Sequence, residues 1–234
     1  MLNNNNNFII IIYMFRTLSL LIWPALYFGY SYLTFHSDSK TQQKLITNAV
    51  SATNCYTTIL LGSLHYLTNA STYYELSYFI NGSYFIWDTY RIMLTNFSNE
   101  LPYILHHIIG LAFFDYLDVD YASPMYKVYY LAEVSNMLTY YIYYYMKTND
   151  LTKKSTVGNL NTLLLCQIIW YGIIRIPVAF YFLKYKREDF NAVLYYPSWL
   201  IFIMGAYWWL GQIRGFRVSR DKYSKMETDL IKNI

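Results

Sequence analysis

Apolar stretches separated by short polar breaks run the length of the chain. Those of the length needed to cross a bilayer as a helix, about 20 residues, cover residues 8–35, 45–66, 73–95, 125–146, 160–183 and 193–213, with a shorter one over 102–117. Runs this long predict helices, since strands rarely exceed about ten residues. The polar breaks hold too few residues for a soluble domain, and no internal repeat is visible. The pattern therefore predicts an all-α fold, a multi-pass transmembrane helix bundle of about seven spans. The Asn3–Asn7 run is low in complexity and is expected to be disordered. The first stretch lacks a basic flank at its start and a small-residue cleavage site, so it reads as an anchor and not a removed signal peptide. Arg16 and Pro24 make it the least regular of the seven.

Composition strengthens this picture. Only 14% of the 234 residues are charged and 56% are hydrophobic, whereas soluble domains carry roughly one quarter charged residues. The 29 tyrosines are a special feature. The Tyr140, Tyr141, Tyr143, Tyr144, Tyr145 stripe reads as interfacial anchoring combined with compositional bias. Cys55 and Cys166 both lie in apolar runs, which makes them packing residues with no disulfide framework and no metal spacing. No metal or other cofactor is expected, and no nucleic-acid partner.

The basic residues set an orientation, because loops rich in Lys and Arg stay cytosolic. With seven spans and an external N-terminus, eleven fall inside: Lys40, Lys44, Lys147, Lys153, Lys154, Arg214, Arg217, Arg220, Lys222, Lys225 and Lys232. Lys184, Lys186 and Arg187 fall outside. The C-terminus is thus expected in the cytosol. The sequon Asn69-Ala70-Ser71 then faces the lumen or exterior, which makes Asn69 the glycosylation candidate. The basic tail is a topology signal and could also attract anionic lipid headgroups.

Ionisable residues inside apolar spans are costly and are kept where they are paired or functional. Asp88 and Arg91 lie in the third stretch, His106, His107 and Asp115 in the fourth, Glu133 in the fifth and Arg175 in the sixth. At a rise of about 1.5 Å per residue, Glu133 and Arg175 sit at matching depth, roughly 12 to 14 Å from the outer ends of their helices. They could meet as a salt bridge that fixes the helices. Asp88 and the His pair fall in the opposite, cytosolic half. Adjacent histidines point about 100° apart on a helix, so only one can face a given spot. Either one, oriented by Asp88, could act as general base or nucleophile. A structural role for the same residues is the competing reading.

The segments Ser83-Tyr-Phe-Ile-Trp-Asp88, Leu105-His-His-Ile-Ile-Gly-Leu111 and Leu131-Ala-Glu-Val-Ser-Asn136 together resemble the TLC-domain family. That family includes the translocon-associated TRAM proteins, the Lag-type ceramide synthases and smaller multi-pass members of unassigned chemistry. Residues 50–54 resemble its early Ser-x-x-His element, Ile173-Ile-Arg175-Ile its arginine-bearing helix, and residues 208–215 its closing Trp and basic segment. The resemblance divides the chain into residues 1–43 (Asn-rich segment and first helix), a six-span TLC domain over 44–215, and a basic tail over 216–234.

The resemblance implies a role in lipid metabolism or membrane lipid homeostasis, in the endoplasmic reticulum or another endomembrane, with membrane lipids as partners. The synthases of the family acylate a sphingoid base from acyl-CoA. On that implication His106 or His107 would be catalytic with Asp88, and Glu133, Arg175, Asn136 and Arg91 would form the surrounding polar pocket. A sphingoid base or phospholipid would then be the acceptor and acyl-CoA the donor. The chain departs from the synthases in lacking their second acidic cluster. Asn54 also replaces the early histidine, Ser83 the usual Gly, and Gly205 stands where smaller members often carry Asn. The smaller members are the nearer resemblance. A non-catalytic lipid-binding or membrane-organising protein, or a translocon accessory protein, are the rival expectations.

Overall fold

The computed structural model describes residues 3–34, 38–95, 97–98, 100–116, 124–185 and 192–232, with side chains over slightly shorter ranges. Among the described residues every regular element is a helix, in the order α1 (Asn3–Leu33), α2 (Ser39–Thr68), α3 (Ser71–Thr95), α4 (Leu101–Tyr116), α5 (Pro124–Thr148), α6 (Lys154–Tyr185) and α7 (Ala192–Lys232). Each covers one of the seven apolar stretches. The side chains of Arg16 and Asp115, and residues Lys186 and Arg187, lie outside the described ones.

The helix ends follow local chemistry. Asp38 precedes α2 in extended geometry and its carboxylate accepts from the Thr41 amide at 2.7 Å, which satisfies a donor that the first turn leaves open. At the other end Asn69 takes the left-handed conformation (φ 55°) and returns its amide to the His65 carbonyl at 2.8 Å. Asn tolerates that conformation better than most residues because its short side chain can bond locally. Asn69 and Ala70 alone separate α2 from α3, so the candidate glycosylation site forms a tight helix–helix turn.

The chain divides into two compact units, Met1–Tyr126 and Lys127–Ile234, where the apolar pattern alone suggested one bundle. Hydrophobic periodicity marks which face of a helix is buried but not which helix covers it. In the first unit α3 is central and packs on α1, α2 and α4. Its buried residues Tyr74, Ser77, Asn81, Tyr84, Phe85, Asp88 and Ile92 recur at helical spacing along one face. The joints on that face are polar. Trp23 Nε1 donates to Ser83 Oγ at 2.9 Å, Thr58 Oγ1 donates to Asn81 Oδ1 at 2.8 Å, and the Ser51 and Tyr84 hydroxyls meet at 2.7 Å.

In the second unit α6 and α7 run antiparallel in close register. Lys154 meets Glu227 at 3.0 Å, Trp209 Nε1 donates to the Ile168 carbonyl at 2.9 Å, and Tyr171 OH donates to the Gly205 carbonyl at 3.3 Å. A Cβ at Gly172 would come within 3.0 Å of the Trp209 ring, so glycine is what admits the indole. Gln167 ties α6 to α5, its amide donating to the Ser135 carbonyl at 3.0 Å and to Thr139 Oγ1 at 2.9 Å. Ile142, Leu160 and Leu164 form an apolar core beside these bonds.

Among the described residues one helix, α6, is long and apolar enough to cross a membrane by length and composition, and 18–33 and 101–112 are shorter apolar runs. The remaining stretches are diluted, as in α3 by Glu75, Asn81, Asp88, Arg91 and five tyrosines. Two further observations concern the ends. The Asn3–Asn7 run continues α1 where disorder was expected. As far as Lys232 the basic tail continues α7 without a break, through Gly211 and Gly215.

Candidate functional site

The ionisable residues singled out by the sequence fall in both units, Asp88, Arg91 and the His pair in the first and Glu133 and Arg175 in the second. In the first, α3 presents Asp88 and α4 presents His107 from its face with Ile104, three residues earlier. Asp88 and His107 are each 5% exposed. One carboxylate oxygen of Asp88 accepts from Arg91 Nε at 2.8 Å, a contact that (i, i+3) spacing on one helix allows. The other lies 3.8 Å from His107 Nε2, which is beyond direct hydrogen-bond reach. His107 Nδ1 lies 3.2 Å from Thr89 Oγ1. The imidazole thus stands between the carboxylate and the hydroxyl of two consecutive residues.

Phe85 completes the setting. Its ring stacks on His107 with centroids 4.9 Å apart and planes 17° from parallel. Gly110, three residues past His107, makes room for it, since a Cβ there would lie 2.5 Å from Phe85 Cε2. Arg91 is partly exposed and its guanidinium sits 6.0 Å from the Trp87 ring centroid. Its charge balances that of Asp88, which lowers the cost of burying the carboxylate. Only one histidine of the pair is enclosed, as their 100° offset requires. His106 is half-buried and meets Phe85 edge-on at 6.1 Å.

The second group lies in α5, α6 and α7. Arg175 is 8% exposed, donates from Nη1 to Asn136 Oδ1 at 3.3 Å and lies 5.2 Å from the Tyr171 ring centroid. Glu133 is buried three residues before Asn136, hence on the same face of α5. The described hydrogen bond of Arg175 therefore goes to Asn136, one turn from the carboxylate expected as its partner. Gly205 gives the guanidinium its space, because a Cβ there would stand 3.3 Å from Arg175 Nε.

Asp88, Arg91 and His107 thus come together, as do Asn136 and Arg175, with Asn69 apart at its turn. Thr89, Phe85 and Gly110 enter the site although the sequence reading assigned them no role in it. Gly110 left a faint signal, a small residue one turn from a histidine in an otherwise bulky helix. Chemically, the first group offers an imidazole fixed in place and can pair with a polar or anionic group brought to Arg91. Compared with protein-family models, curated proteins and solved structures, the chain matches none.

Proposed function

We propose that the chain is a multi-pass membrane protein of the TLC type that works in membrane lipid metabolism or lipid balance, in the endoplasmic reticulum or a related endomembrane. The observation that carries this reading is the distribution of polarity. Asn81, Asp88, His107, Gln167 and Arg175 are buried, while Leu21, Leu67, Ile173, Ile203 and Tyr207 are more than half exposed. An aqueous protein seldom exposes apolar side chains over so many helices, and intramembrane ionisable groups face the bundle interior. The order of Asp88, the His pair and Glu133 adds the lipid-directed part through its family resemblance.

In this reading the Asp88–His107 centre receives the polar end of a lipid, with Arg91 as the partly exposed charge beside it. Acyl transfer is the reaction the resemblance implies. An amine nitrogen of the acceptor would bond to the thioester carbon of acyl-CoA as the C–S bond breaks. The amine proton would pass to His107 and return to the departing thiolate. Against catalysis, Phe85 covers one ring face and both ring nitrogens face protein groups. These contacts favour the second reading, a lipid-binding protein whose histidine is structural.

Lipid profiles of cells expressing the wild type, His107→Gln and His106→Gln test the proposal. Glutamine keeps hydrogen-bonding capacity but lacks a titrating nitrogen. An acyl-transferring protein loses its lipid effect with His107→Gln and keeps it with His106→Gln. A binding protein keeps it with both. A wild-type protein that leaves every lipid class unchanged overturns the proposal.

A further inference from the structure

In the second unit, an open groove of about 580 Å³ lies between α6 and α7, with neither Glu133 nor Arg175 in its lining. Its walls change character along their length. Leu165 and Ile168 of α6 and Ile213 and Phe216 of α7 line one part, and Arg217, Arg220 and Asp221 line the other. Ile213, Phe216 and Arg220 are spaced by three and four residues, so one face of α7 passes from apolar to cationic within two turns. The rise from Ile213 to Arg220 is roughly 10 Å, comparable to the depth between lipid headgroup and upper acyl chain.

On the proposed membrane reading, on which this inference rests, the apolar stretches of α6 and α7 end near residues 160 and 213. The Arg217–Arg220 end then stands at the cytosolic headgroup level, with Leu165 and Ile168 about 7 to 12 Å deeper. Arg217 and Arg220 are exposed, and among the described residues neither is held in a hydrogen bond or ion pair. Two guanidinium groups and one carboxylate leave a net charge of +1 at the mouth. The best complement is a headgroup of net charge −1 that also offers a donor to Asp221.

We infer that this groove is a binding site for an anionic glycerophospholipid, its phosphate held by Arg217 and Arg220, a headgroup hydroxyl or ammonium by Asp221, and an acyl chain laid along Leu165, Ile168, Ile213 and Phe216. A guanidinium matches phosphate oxygens in a two-pronged geometry that an ammonium cannot reproduce. The apolar floor supplies what a free phosphate would not use. The site lies at a helix–helix seam, so an occupying lipid would brace α6 against α7.

The test uses the full chain purified in a neutral detergent and titrated with phosphatidylglycerol, phosphatidylcholine or soluble glycerol phosphate, read by native mass spectrometry and by the thermal unfolding midpoint. Phosphatidylglycerol should be retained and raise the midpoint, and the other two should not. Each basic side chain facing an anionic headgroup is worth a factor of about 5.5, so Arg217→Gln/Arg220→Gln should weaken retention roughly thirtyfold. Lys222→Gln/Lys225→Gln removes the same charge outside the groove and should retain the lipid. Leu165→Trp should exclude it by filling the floor while leaving both arginines. Equal losses in the two charge variants, or equal retention of phosphatidylcholine, would overturn the inference, and retention of glycerol phosphate would make the ligand a free phosphate. A chain that stays soluble and monodisperse without detergent would instead overturn the membrane reading beneath it.

Discussion

Asp88 and His107 stood out in the sequence because each is an ionisable residue in an apolar run. The 100° step between neighbouring helix positions also required one histidine of the pair to turn away. Which one could not be read, since it depends on the side from which α3 approaches α4. For the same reason the roles of Thr89, Phe85 and Gly110 were not legible: each matters through a partner on the other helix. Gly110 gives the sharpest prediction at this scale. Gly110→Ala places a methyl 2.5 Å from Phe85 Cε2, and Phe85, 3% exposed, has little room to yield. Overpacking of this kind costs about 1 to 3 kcal/mol. The purified variant should melt lower than the wild type, and Phe85→Leu in the same chain should recover part of the loss. An unchanged midpoint would mean that α4 moves freely against α3.

The seven helices were legible as elements, because apolar runs of this length allow no other regular structure. Their ends and partners were less so. The register of α6 against α7 rests on close approaches at Gly172 and Gly205, whose meaning emerges only once Trp209 and Arg175 stand opposite. The length of α7 was hidden because its charged last third looks like a loose tail when apolar content alone is read. Matching depth brought Glu133 and Arg175 to attention as a pair, and Asn136, the described partner of Arg175, lies one turn away. Leaving a buried charge without its partner typically costs about 3 kcal/mol or more. A Glu133–Arg175 pair requires Glu133→Ala and Arg175→Ala each to lower the unfolding midpoint strongly, and Asn136→Ala less. Coupling shows in the double variant: a Glu133→Ala/Arg175→Ala chain that loses the sum of the two single effects contains no working pair.

Across the whole molecule the burial of polar groups beneath apolar outer faces and the eleven-to-three division of basic residues support the same proposal of a bundle read from a bilayer inward. By hydropathy α6 alone among the described helices reaches the span threshold, and the 29 tyrosines, counted as polar, dilute the other runs. The division into two compact units falls beside the polar break over 118–124, which nothing in the sequence distinguishes from the other breaks as a boundary. Side-resolved labelling of single cysteines, in a chain with Cys55 and Cys166 replaced by alanine, tests the multi-pass claim most directly. The proposed topology requires Asp38→Cys, Ser98→Cys, Asp150→Cys and Lys232→Cys to react with an impermeant maleimide from the cytosolic side, and Asn69→Cys to react only from the opposite side. Labelling of Asn69→Cys and Ser98→Cys from the same side, or equal labelling of all five without membrane permeabilisation, would contradict it.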